Sequence, residues 1–172
     1  MPEIIVPVSV GLRGDVKMIM RDVVTGEVET REIRNTLLNF LLDGFFSETS
    51  MFGGGKGLLN SINVNCLIGT SNQPASHSDT GVIGTLLASR SGASAYSGTN
   101  PRIRTITTVF PAGTGTGTIQ EVVQANSSRQ VVSPALNKTD QHELTVVWTF
   151  SLYRGADSWS GVIPAEQRDE IT

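Results

Sequence analysis

Cysteine is almost missing from this chain. A single Cys66 in 172 residues excludes an internal disulfide framework and any zinc site built from cysteine clusters. Histidine is nearly as scarce: His77 and His142 stand alone, in neither HxH nor HxxxH spacing, so no metal site is expected. Charged residues make up 17%, below the roughly 25% usual for soluble domains. The net charge of −3 and sequence pI near 5.3 argue against direct nucleic-acid binding. No apolar run approaches the roughly 18 residues of a membrane helix; the strongest, residues 37–46, is broken by Asn39, Asp43 and Gly44. The opening MPEIIVPVSV carries an acid and two prolines where a secretory signal needs a basic stretch and a long apolar core, so no signal peptide is expected.

What the chain has in excess is Gly, Ser, Thr and Asn, 62 of its 172 positions, the mix of a loop-rich β protein. Residues 4–10 are apolar and β-branched, with Pro7 restricting them to an edge strand or an arm. Val16, Met18 and Met20 alternate with Lys17, Ile19 and Arg21, which marks a strand with one buried face. Thr25-Gly26 supplies a tight turn into a charged, solvent-facing return strand that re-enters the core at Ile33. Asn35 or Thr36 can cap a helix, and Leu37, Leu38, Leu41, Leu42 and Phe45 form its apolar stripe. Residues 51–57, with four glycines around Lys56, read as a loop.

Ile62, Val64, Cys66 and Ile68 predict the next strand, and residues 70–100 read as a long, poorly structured stretch. Residues 102–110 and 119–124 read as partner strands joined by a Gly-Thr repeat. Val131-Val132 predicts a short strand ended by Pro134. Leu144, Val146, Trp148, Phe150 and Leu152 alternate strictly with polar neighbours and predict a long core strand. These elements point to a mainly β protein, a jelly-roll-like β-sandwich with one short packed helix near residues 36–46. The whole chain, 1–172, is expected to form a single domain, with an N-terminal arm at 1–10 and a C-terminal tail at 155–172.

The chain holds no convincing catalytic constellation. Lys56 is followed by Gly57, so the glycine run at 53–57 lacks the GxxxxGK[ST] spacing of a phosphate loop, and Gly113 to Thr118 does not fit GxGxxG. Ser76-His77-Ser78-Asp79 places triad residue types side by side, whereas triads are assembled from separate elements; an Asx or Ser turn is the better reading. No GxSxG elbow occurs, and the aspartates fit no calcium loop. The expectation is a non-enzymatic protein without cofactor or small-molecule substrate. Arg102 and Arg104 share one face of a strand and are candidates for contact with a partner, as is the isolated Trp159. Cys66 reads as a buried small hydrophobe.

The order of several short motifs resembles that of tailed-bacteriophage tail and virion proteins. Residues 34–42 (RNTLLNFLL) resemble their Asn-led apolar helix. Cys66-Leu67-Ile68-Gly69-Thr70-Ser71 followed by Pro74-Ala75-Ser76-His77-Ser78-Asp79-Thr80 resembles their "strand, Gly-Thr, Pro-Ser-x-x-Asp-Thr" passage. Thr118-Ile119-Gln120-Glu121-Val122 is similar to an "x-Ile-x-Glu-hydrophobic" strand, and residues 127–132 and 144–150 are similar to the closing strands. The resemblance covers about residues 34–153 and lacks the long shaft and receptor tip of fibre proteins. It implies an adaptor, collar, tail or decoration subunit located in the virion, whose partners are other copies of itself and other virion proteins. Contacts are then expected at Ile4 and Val6 in the arm, Phe52 and Lys56 in the glycine loop, residues 70–100, Arg102, Arg104 and Trp159. A carbohydrate-binding β-sandwich, using loops and Trp159, or a capsid decoration protein are the alternatives.

Overall fold

The computed structural model describes residues 10–34, 36–37 and 58–154. Ten strands and one helical turn follow in order: β1 Val10–Asp22, β2 Val28–Arg34, β3 Thr36–Leu37, α1 Leu58–Ser61, β4 Asn65–Gly69, β5 Leu86–Ser91, β6 Ala93–Ser97, β7 Arg102–Phe110, β8 Gly117–Gln124, β9 Ser128–Lys138 and β10 His142–Arg154. They form two antiparallel five-stranded sheets, β2-β1-β10-β7-β6 (sheet A) and β3-β9-β8-β4-β5 (sheet B). The fold is a β-sandwich, as the sequence pattern predicts.

The core lies where the alternation places it. Val16, Met18 and Met20 of β1, Ile106 and Phe110 of β7, and Leu144, Val146, Trp148 and Phe150 of β10 form the inner face of sheet A. Cys66, Ile68, Ile119, Val122, Val132 and Leu136 face them from sheet B, and Leu59 and Ile62 join from α1 and the residue after it. The Trp148 and Phe150 rings stack with centroids 5.9 Å apart and planes 8° from parallel. Burial holds the Cys66 thiol up at about 12, and the indole of Trp148 draws it back only in part. Cys66 is therefore the buried hydrophobe expected of it.

The β1–β2 hairpin also forms as predicted. Gly26 takes a φ of +78°, and the Asp22 carboxylate accepts the backbone N–H groups of Val24 (2.7 Å) and Thr25 (2.9 Å). Ile33 packs against the core from a β2 that is otherwise exposed apart from Arg31.

Four expectations need correction. Thr36 and Leu37, placed at the start of a helix, pair as β3 with Arg129 and Ser128 of β9; residues 38–46 lie outside the described residues. Residues 70–100 contain two strands, β5 and β6, separated by Gly92 alone, and the chain turns there from sheet B into sheet A. A corner of one residue needs close approach: a Cβ on Gly92 would lie 2.4 Å from Thr108 Oγ1 and 2.8 Å from Ile106 Cγ2, distances no side chain tolerates without displacement. Strands β7 and β8 are not partners but belong to opposite sheets; Gly113 and Gly115 in their connection and Gly117 at the start of β8 all have positive φ, which explains the Gly-Thr repeat as backbone geometry.

The fourth correction concerns Pro134, which does not end its strand. Ile119 pairs with Leu136 and Glu121 with Val131, so residues 132–135 stand opposite Gln120 alone. The bulge, exposed at Ser133 and Pro134, accommodates a residue that cannot donate to a ladder. The Pro134 carbonyl accepts a 2.8 Å hydrogen bond from Arg31 Nε of β2.

Candidate functional site

The most elaborate polar arrangement among the described residues lies on the outer face of sheet B, where residues 70–85 cross it as a strap between β4 and β5. The irregular register between Ile119 and Glu121 directs Ile119 and Val122 into the core and Glu121 to the opposite face. Arg129, on the neighbouring β9, has its side chain on that same face. Both side chains are completely buried, and Asp79 in the strap is nearly so.

Every acceptor position of the Glu121 carboxylate is occupied. One oxygen accepts the backbone N–H of Ser71 (3.1 Å) and of Gly84 (2.8 Å). The other accepts the N–H of Ile83 (3.0 Å) and Arg129 Nε (2.8 Å). Burial pushes its pKa up, but the Ile83 N–H, the Arg129 guanidinium and the Gly84 and Ser71 amides outweigh that and hold the carboxyl below its usual range. Arg129 then reaches outward: its terminal nitrogens donate to the Gln73 carbonyl (3.0 Å) and to Asp79 Oδ2 (3.0 Å). The carboxylate fits because two glycines leave room for it. A Cβ on Gly69 would lie 2.5 Å from Glu121 Oε1, and one on Gly84 only 2.6 Å from the Ser71 nitrogen.

Asp79 has a second role. Its Oδ2 accepts the Ser76 N–H at 2.9 Å, its own N–H donates to the Ser76 carbonyl at 3.1 Å, and the Ser76 and Ser78 hydroxyls meet at 2.9 Å. The Ser-His-Ser-Asp run is thus the predicted turn, fastened by Arg129. At the neck of the strap the Thr85 N–H donates to Thr70 Oγ1 at 2.9 Å. Chemically this is a clamp: one buried carboxylate and one buried guanidinium hold about 16 residues of irregular chain against a sheet by its backbone.

Of the residues singled out from sequence, Ile4, Val6, Phe52, Lys56 and Trp159 lie outside the described residues. Arg102 and Arg104 do not form an outward-facing pair. Arg102 is exposed and donates to the Gly98 carbonyl at 2.9 Å, with Tyr96 beneath its guanidinium. Arg104 is only 5% exposed. It donates to the carbonyls of Leu59 and, at 2.7 Å, Ile62, and so ties down the C-terminal end of α1. From Arg104 to Phe110 the even residues of β7 are buried, and Arg104 is in register with the core residues Ile106 and Phe110. Its Nη1 donates to backbone inside the sandwich, while its buried Nε has no hydrogen-bond partner.

The outer face of sheet A is different. A shallow cleft of about 390 Å³ over β1, β2 and β10 is lined by Arg13, Asp15, Lys17, Glu32, Arg34 and Thr149 among others. Its charges pair at the surface, Arg13 with Asp15 (2.8 Å) and Lys17 with Glu32 (3.2 Å). Sequence reasoning passed over Glu121 and Arg129 as functional positions. The available signal was an acid flanked by Ile119 and Val122-Val123, a charge where a strand is otherwise apolar. No family model, curated protein or solved structure matches this chain.

Proposed function

We propose that this protein is a non-enzymatic structural component of a bacteriophage virion, which joins tail, collar or fibre proteins through homo-oligomeric assembly. One observation carries the reading. Four of the six short motifs that resemble phage virion proteins meet at one buried cluster: the Ser71 N–H after the Gly-Thr step, Asp79 in the Pro-Ser turn, Glu121 in the Ile-x-Glu strand and Arg129 beyond it. A motif order with a common structural purpose supports the resemblance better than loose matches of composition do. The clamp's chemistry also suits assembly, because it fixes the shape of a long surface segment and performs no reaction. Particles purified from a host expressing the intact phage genome should contain the chain in many copies, by mass spectrometry and antibody labelling in electron micrographs. The isolated protein should sediment as a closed oligomer. A monomer at high concentration, together with absence from particles, overturns the proposal.

A further inference from the structure

The two flanks of sheet A are guarded very differently. Strand β2, at one edge, carries Glu29, Arg31, Glu32 and Arg34 in seven residues, the charge pattern that keeps an exposed edge from pairing with other chains. At the other edge, β6 reads Ala-Ser-Ala-Tyr-Ser, is exposed at all five positions, and among the described residues pairs only with β7. The chain reaches it through Gly92 from β5, the edge strand of sheet B, and over residues 86–97 carries one charge, Arg90, and no proline. A neutral edge with no further strand beyond it among the described residues is a template for an added strand.

The chain also contains a segment suited to that edge. Residues 2–9, outside the described residues, include Ile4, Ile5, Val6 and Val8, which favour extended pairing. Pro7 lacks one backbone donor, a defect tolerated in a strand that bonds on one side only. The segment leads into β1 at Val10, and Leu12 shares a row with Leu152 and Arg102, so it leaves sheet A at the end where β6 finishes. Extended, it would reach about 30 Å, well beyond its own sheet's edge three strands, or about 14 Å, away.

We infer that residues 2–9 of one copy add as a strand to the β6 edge of a second copy, extending sheet A across the subunit boundary. This deepens the assembly reading above and rests on it. Cysteine pairing in the full chain tests it. Val6→Cys and Ala95→Cys chains, made separately and mixed, should join into a covalent heterodimer on mild oxidation, with Ile4→Cys and Val8→Cys mapping the register. Ala95 is exposed and opposite Thr105, so its substitution spares the core, and the buried Cys66, with its thiol raised to about 12, will not compete. Val28→Cys on the charged edge should give no cross-link with Val6→Cys. Ala95→Lys should reduce the oligomer's mass while leaving the melting transition in place. Equal cross-linking at Val28, or an intrachain bond in the Val6→Cys/Ala95→Cys double variant with no intermolecular product, overturns the inference. An oligomer that forms without any arm-to-β6 cross-link also overturns it while leaving the assembly reading standing.

Discussion

The two outer faces of the sandwich solve the same problem in opposite ways. Among the described residues, sheet A carries threonines, partly buried aliphatics and surface ion pairs on its outer face, with no segment laid across them. Sheet B places a carboxylate and a guanidinium on its outer face and covers them with its own strap. A buried pair of this kind gains little over an apolar pair, because desolvation offsets most of its attraction. What it adds is direction: Glu121 and Arg129 bind the strap through backbone N–H and C=O groups, so they specify its path largely independently of its side chains. An irregular segment rich in Ser, Thr and Gly can thereby be held in a defined shape.

Single substitutions should separate the faces sharply. Arg129→Met should cost about 3–5 kcal/mol in urea unfolding, since it leaves Glu121 and Asp79 buried without their cation. Trp148→Ala, in the core shared by both sheets, should cost a similar 3–5 kcal/mol. It should destabilise the whole fold, whereas Arg129→Met should also raise hydrogen exchange selectively at Ser71, Ile83 and Gly84.

Acid provides the next test. Because the Glu121 carboxyl sits below its usual range, its contribution is complete above about pH 4.5, the ordinary glutamate value, and is lost as pH falls through the lower folded value. Amide exchange in the strap should accelerate there, and Glu121→Gln should remove that part of the pH dependence. Asp22 is also held low, by the N–H groups of Thr25 and then Val24, but it lies in a surface turn, so the hairpin should respond only weakly.

Gly84→Ala should cost about 1–3 kcal/mol through crowding of the strap against Thr70, Ser71 and Glu121. Smallest of all, Lys17→Ala or Glu32→Ala on sheet A should change stability by no more than about 0.5 kcal/mol. A loss from Lys17→Ala as large as that from Arg129→Met would erase the distinction between the faces.

Much of the sandwich was legible because period-2 alternation reports burial directly: Val16 to Met20 and Leu144 to Phe150 fall on the inner face as read. Thr25-Gly26 was legible because a positive φ leaves few residue choices. The clamp was not. Glu121 looks like any acid on a strand until the irregular register at Ile119 and Glu121 turns it outward and a segment some 40 to 50 residues earlier folds over it. Arg104 was misread for a related reason: alternation places it on a face, but whether that face meets solvent or the backbone of α1 depends on a distant element. Thr36 and Leu37 were read as helix from the apolar run that follows, whereas pairing with Ser128 and Arg129 decided their conformation.

The sequence by itself determined the class of fold, the identity of the core strands and the β1–β2 turn, because each depends on local geometry or on a repeat of two residues. Only the tertiary structure decided which strands share a sheet, where the chain turns at Gly92, and that Glu121, Arg129 and Asp79 meet. Those outcomes depend on contacts between segments far apart in the chain, and no local pattern encodes which distant partner will satisfy a buried charge.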